Sequence, residues 1–411
     1  MNLREQKGLE IADRTNITQS GNLYLVPSQS GRGKYKVDPQ AQTCSCPDFD
    51  FRRQPCKHIF AVEISVRRTQ TTHIKAGVTT VTETVKVTRK TYKQEWPAYN
   101  KAQTVEKAQF QYLLNQLCQG VGEPAQMNGR PRLPLEDMIF SMAFKVYSTV
   151  SGRRFISDLK DAHGKGYISQ LPSYNSIFKY FESEMVTSYL QMLIEESSLP
   201  LASIERDFAV DSSGLSTCRF FQWIHAKYGA DPKLLQQRQW IKVHLMCGVK
   251  TNVVTAVEIT NRFAADSNYF QPLVETTAAN FVMNEVSADK AYLSGKNLQT
   301  VADNNAMPFI PFKSSSSTTP QSLKRQSPLW KQMYHYFSYN TERFMSHYHK
   351  RSNVETTFHM IKSKFGDSLR SKTERAQINE ALCKVLCHNI CCLIQSMYEL
   401  NLKPKFYAQV A

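Results

Sequence analysis

The sequence predicts an α/β protein: a mixed five-stranded sheet with flanking helices, preceded by a helical region and a small cysteine/histidine module. Three observations carry this. From about residue 205, five strand-like runs ("RDFAVDSS", "WIKVHLMCGV", "NVVTAVEIT", "FVMNEVSAD", "AMPFIPFK") are interrupted or followed by helical ones. Between about 100 and 200 the apolar pattern is helical throughout. Near the start, three cysteines and a histidine crowd into residues 44–58. The 411 residues suggest two or three domains with ample core. With 41% hydrophobic and 21% charged residues, wholesale disorder is excluded. Lysine and arginine outnumber the acids 51 to 35, a net +16 that favours a polyanionic partner, nucleic acid being the commonest, although solubility alone is served by the same charge. No stretch reads as long and apolar enough to span a bilayer, and "MNLREQKGLEIADR" has no signal-peptide core, so a cytoplasmic protein without membrane contact is expected. In that reducing setting the ten cysteines are metal ligands or small core residues.

Residues 1–70 open with two strand runs, "NLYLV" and "KYKV", and close on the helical run "KHIFAVEISVRR". Between them lies Cys44-x-Cys46-x9-Cys56-x-His58. Three thiolates and an imidazole suit one tetrahedral Zn²⁺, with "PDFDFRRQP" expected as the loop between paired ligands. This ββα arrangement resembles the SWIM-type zinc finger. Arg52, Arg53, Lys57, Arg67 and Arg68 make it basic enough for DNA, although such modules also bind protein. Residues 71–99 alternate at period two in "VTTVTETVKVTRKTY", which reads as a polar hairpin or a linker. In the helical region 100–200, "SYNSIFKYFESEMVTSYLQMLIEE" reads as one helix with Ser173 at its N-cap. Two short helices joined by a Gly-containing turn in "RRFISDLKDAHGKGYISQLPSYNSIFKYF" suggest a helix-turn-helix that reads DNA, with plain helix packing as the alternative. Near the end, Cys383, Cys387 and Cys391 share a helical face with Ile390 and Ile394 and read as buried apolar residues rather than ligands.

Residues 201–411 hold the acids of interest. Asp211 ends the first strand run and Asp289 the fourth, where α/β sheets build their sites. In "HYHKRSNVETTFHMIKSKFG", Val354, Phe358, Ile361 and Phe365 form one apolar helical stripe, while Tyr348, Arg351, Glu355 and Lys362 share the neighbouring arc. Packing that stripe on the sheet brings Glu355 towards the two aspartates. Three carboxylates brought together repel one another unless cations sit between them, which points to two Mg²⁺ (or Mn²⁺) and phosphodiester chemistry, with Tyr348, Arg351 and Lys362 on the DNA phosphates. Asp207 shares a face with Asp211 but lies at the strand's start; Asp303 reads as solvated and His359 as a surface residue.

The run Tyr348-x2-Arg351-x3-Glu355-x6-Lys362, with "DSSG" and "SADKAY" upstream, is similar to the signature of one branch of the DDE transposases of prokaryotic insertion sequences. The resemblance spans roughly 130–400. It implies an RNase H-like core, Asp211, Asp289 and Glu355 as the metal-binding catalytic triad, and transposase activity on double-stranded DNA: cleavage at terminal inverted repeats and strand transfer into target DNA. It further implies a homo-oligomer during synapsis and a nucleoid-associated location. Only residues 290–354 separate Asp289 from Glu355, a departure from relatives that carry a large β-rich insertion there with an aromatic that stacks on a flipped base; Trp330, the one tryptophan in this interval, is assigned to core packing over that role. The alternatives are a non-catalytic DNA-binding descendant, which the intact triad argues against, and a metal-dependent nuclease without strand transfer.

Overall fold

The computed structural model describes residues 3–15, 17–20, 23–28, 33–69, 74–75, 78–79, 95–125, 131–217, 240–313 and 326–407. They fall into two units, 1–93 and 94–411.

In the first unit, helix α1 (Leu3–Arg14) precedes an antiparallel sheet of β1 (Thr18–Ser20), β2 (Leu23–Pro27), β3 (Lys34–Asp38) and β4 (Thr43–Cys44), followed by α2 (Pro47–Arg52) and α3 (Lys57–Thr69). Alternation in "KYKVD" buries Val37 and leaves Lys34 and Lys36 outside, and Val37 packs with Val26, Ile11, Ile59 and Val62. The expected loop after Cys46 contains a helix instead. Pro47 is pre-set for a first helical position, the Cys46 sulfur accepts the Phe49 amide at 3.4 Å, and Arg53 closes α2 in the left-handed region at φ 54°. Beyond α3, β5 (Ile74–Lys75) pairs antiparallel with β6 (Val78–Thr79); most of the hairpin-or-linker segment lies outside the described residues.

The second unit starts with α4 (Trp96–Cys118), α5 (Leu135–Ser148), α6 (Gly152–Gly164), α7 (Tyr174–Phe181) and α8 (Glu184–Ser198). The sheet follows: β7 (Asp207–Ser216), β8 (Trp240–Gly248), β9 (Val254–Asn261), α9 (Phe270–Asn280), β10 (Glu285–Ala288), α10 (Gly295–Asp303) and β11 (Met307–Phe309). Helices α11 (Pro328–Tyr339), α12 (Thr341–Tyr348), α13 (Ser352–Phe365) and α14 (Glu374–Glu399) complete it. The strand order is β11-β10-β7-β8-β9, with β7, β10 and β11 parallel and β7, β8 and β9 antiparallel. Period two sorts β7 between two cores. Phe208 and Val210 join α9, α10 and Phe344 of α12 on one side. Ala209 and Leu215 join α4, α5, α8, α13 and α14 on the other.

Four further expectations change at element level. Strand β7 does not end at Asp211 but continues to Ser216, paired with β8 from Phe208 onward. The single helix expected after Ser173 is two; Ser173 does cap α7, accepting the Ser176 amide at 3.1 Å, but the chain is extended at Ser183, where the Asn379 amide of α14 donates to the carbonyls of Phe181 (2.8 Å) and Ser183 (3.0 Å). The helix expected through 347–366 is broken by a 3₁₀ turn at His349–Arg351, which carries the chain from the core holding Phe344 to the core holding Val354. Finally, α14 does reach membrane-spanning length at a mean hydropathy of 1.2; 78% of that window is buried inside the protein, which makes it the central core helix. Cys383 and Cys387 sit in it fully buried, and burial pushes their thiols up. Trp330 packs edge-on to Phe312 at 5.0 Å.

Candidate active site and zinc centre

Odd-numbered residues of β7 face α13. Ala209 and Leu215 share the core of its apolar stripe, and the polar odd positions meet cations of the preceding 3₁₀ turn and of α13: Lys350 Nζ donates to Asp207 at 2.7 Å and Arg351 Nη1 to Asp211 at 2.6 Å from the turn, and Lys362 Nζ to Ser213 at 2.7 Å from the helix. Val354, Phe358, Ile361 and Phe365 are all buried. Each such burial contributes about 1.5–3 kcal/mol, against a few tenths for an i,i+4 ion pair, so the stripe seats the helix and the charges follow. In the parallel pairing of β10 with β7, Ala288 lies opposite Val210, which brings Asp289, the next residue, level with Asp211 on the neighbouring strand. Asp289 caps the following 3₁₀ turn, accepting the Lys290 amide at 2.7 Å.

Glu355 lies in the first turn of α13, and the Arg351 guanidinium bridges it to Asp211. Burial pushes the Asp211 carboxyl up; the Ser212 amide and Arg351 pull it back, and the charges of Asp289 and Glu355 push it up again. Tyr348, half-buried, has its phenol raised mainly by burial and feels Arg351, Asp289 and Glu355. The three acids are thus electrostatic neighbours, with a guanidinium between two of them.

The second site is tighter. Among the described residues, Cys44, Cys46, Cys56 and His58 are the one group of three or more Cys, His, Asp or Glu side chains gathered closely enough to hold an ion, with ligand atoms all within 4.8 Å of one another. All four are buried. His58 Nδ1 faces the Cys44 and Cys56 sulfurs at 3.8 Å each, while its Nε2 is buried without a hydrogen-bond partner. Without a cation the thiols compete for one negative charge. A hydrogen bond with Cys44 holds Cys56 down at about 3, whereas that same bond raises Cys44 and burial raises Cys46. Three thiolates and an imidazole in so small a space fit tetrahedral Zn²⁺, which supplies the charge that lets all three thiols ionise.

The family model described as a transposase DDE domain matches residues 202–390, and that of the SWIM zinc finger matches residues 35–67. Residues 202–390 are a DDE transposase domain. A SWIM finger precedes it. The Cys₃His set lies within the finger, and the two together support Zn²⁺ there; the DDE domain supports a transposase role, with DNA as partner.

Several residues of the DDE domain had no distinct signal in sequence. Lys350 donates to both Asp207 and Glu285 at 2.7 Å; burial lowers it, but these bonds hold it above its usual value. Tyr292, in "SADKAY", is buried beside Ser212, and burial followed by the charges of Asp211 and Asp266 raises it. Lys242 donates to the Ala264 carbonyl (2.8 Å) and Asp266 (3.0 Å), and Ser212 donates to Asp266 (2.8 Å), anchoring the loop after β9 beside Asp211. Only the alternation of "WIKVHL", which places Lys242 between apolar neighbours, hinted at this.

Proposed function

We propose that this protein cleaves DNA at transposon ends and joins the freed strand to target DNA, with Asp211, Asp289 and Glu355 as catalytic ligands of two Mg²⁺ or Mn²⁺. The reading rests on one observation: the DDE domain sets Asp211 and Asp289 level on adjacent parallel strands and Glu355 in the first turn of the helix packed across them. The donor set is all carboxylate oxygen, which fits hard divalent cations. Such ions, when bound, activate a water or 3′-hydroxyl and stabilise the leaving oxygen. The chain's own part is positional. Asp211 and Asp289 are fixed by strand pairing and by amides at Ser212 and Lys290, and Glu355 by the buried stripe beneath it. Arg351 neutralises Asp211 and Glu355 and, with Tyr348 and Lys362, offers charge and hydrogen bonds to the phosphates of the strand being cut. The division into finger (1–70), connector (71–99), helical DNA-binding region (100–200) and catalytic region (201–411) belongs to the same proposal, as do a synaptic homo-oligomer and a cytoplasmic, nucleoid-associated setting.

The test is a strand-transfer assay on matched terminal repeats, with DNA binding measured in parallel. Asp211→Asn, Asp289→Asn and Glu355→Gln are each expected to abolish Mg²⁺-dependent cleavage and leave binding within about threefold, because each removes ligand charge away from the DNA-reading surfaces. Near-wild-type cleavage by any of them removes that residue from the triad. Cleavage without joining by the wild type identifies a nuclease instead.

A further inference from the structure

A cavity of about 410 Å³ lies between α5, the start of α6, α7, α14 and the segment that follows α13. That volume falls within the range of about 300–1,000 Å³ typical of pockets for small organic ligands. Its wall includes Lys145, which is only 9% exposed and has no hydrogen-bond or ion-pair partner among the described residues. The other charges around it are largely committed. Both Glu380 oxygens accept amides of Arg370 and Ser371 at 2.8–3.0 Å, and Lys384 donates to the carbonyls of Gly366 (2.9 Å) and Ser368 (2.8 Å). Arg370 donates to the carbonyls of Thr149 and Val150. Burial and Arg370 disfavour the Lys145 charge, and the Glu380 carboxylate, already spent on amides, supports it only through space, so an anion entering the cavity is favoured.

Three phenylalanines also line the wall. Phe181 and Phe365 are buried, and Phe178, 45% exposed, stands among the lining residues. Gly152 allows that ring its place, because a Cβ there would meet Phe178 Cζ at 2.6 Å. The pocket is also coupled to the candidate active site. Phe365 ends the helix that carries Glu355, roughly 15 Å further along its axis. The following segment is laced to the end of β7, with the Ser216 amide on the Asp367 carbonyl at 3.0 Å and the Leu369 amide on the Ser216 carbonyl at 2.8 Å.

We infer that this cavity binds one nucleotide unit, its phosphate on Lys145 with Lys372 at the rim and its base against Phe178 and Phe181. A cation combined with aromatic faces is the chemistry that holds single-stranded nucleic acid. Either a nucleotide of a DNA strand or a free nucleotide presents the same groups. That the strand is the one being cut rests on the function proposed above; the pocket itself does not.

The test uses the full chain without divalent cations, so that no cleavage occurs. Two probes are titrated: a labelled 12-nucleotide single-stranded oligonucleotide, read by anisotropy across a salt series, and deoxyadenosine monophosphate, read by calorimetry. Lys145→Met is expected to weaken oligonucleotide binding about five- to tenfold and to reduce the salt slope by about 0.7. Its melting temperature should stay level or rise, since an unpartnered buried charge is replaced by an apolar chain of similar length. Phe178→Ala, at an exposed position, should weaken binding about fivefold or more while leaving the slope unchanged. An effect confined to the monophosphate assigns the pocket to free nucleotides; an effect on the oligonucleotide assigns it to a strand. Wild-type binding of both probes by both variants overturns the inference, and if Lys145→Met does not fold, Phe178→Ala decides alone. The monophosphate has no scissile bond and both titrations exclude divalent cations, so failure of the catalytic assignment and failure of the pocket show up separately.

Discussion

Arg351 occupies the position between Asp211 and Glu355 that a cation would share, and it is the residue whose removal is most informative. Its side chain is 19% exposed, that of Asp211 23% and that of Glu355 59%, so the Asp211 half of the bridge carries most of the energy. Arg351→Ala is expected to lower stability without divalent cations by about 1–2 kcal/mol, by leaving a partly buried carboxylate unpaired. The same change should enlarge the rise in melting temperature that Mn²⁺ produces, because the competing guanidinium is gone. Lys362→Ala should behave differently. Its Ser213 contact is a single hydrogen bond, so melting should hardly move, while the salt slope for duplex binding falls by about 0.9. Calorimetric melts with and without Mn²⁺, run beside a salt titration, check both. An unchanged Mn²⁺ response in Arg351→Ala would show that the guanidinium does not compete with the cation.

The strands and helices of residues 205–399 were legible because alternation and helical periodicity are local properties. The breaks at 182–183 and 349–351 were not, because partners distant in sequence make them: Asn379 in one case, a change from one core to the other in the second. The spacing of Arg351 and Glu355 could be read from the chain, but that Arg351 turns to Asp211, 140 residues away, could not. Helix α14 offers a test at this scale. His388 is 2% exposed, donates through Nε2 to the Asn252 carbonyl at 2.9 Å, and burial holds it down at about 4. In the unfolded chain it titrates near 6.5. Between about pH 6.5 and 4 the unfolded state therefore binds the extra proton, so stability is fully present above pH 6.5 and declines as pH falls through that window, by about 3 kcal/mol in all. His244 in β8, also held at about 4 by burial, adds to the same slope. His388→Gln keeps a donor for Asn252 and should flatten the decline; equal slopes for wild type and variant in urea titrations from pH 4.5 to 7.5 would refute the assignment.

For the molecule as a whole, the two units draw on different sources of stability. The first has a short list of buried apolar side chains, and its cysteines belong to that core, so the metal and the fold are one equilibrium. Removal of zinc with a chelator, or the double change Cys56→Ser and His58→Ala, is expected to abolish protection of amides in the first unit against hydrogen exchange and to leave the second unit's protection unchanged. Elemental analysis should find about one zinc per chain before treatment and none after; full zinc in the double variant would reassign the metal.

The second unit has a core that closes late. Helices α4, α5 and α8 bury their apolar faces against α14, which lies at the other end of the chain. During synthesis, at about 5–20 residues per second, roughly 10–35 s separate the emergence of α8 from that of α14. Throughout that interval the early helices have apolar faces and nothing to cover them. A ribosome that stops short of α14 releases a chain whose sheet and acids are all present but whose helical layer has no centre, a substrate for chaperones and proteases rather than a partial enzyme.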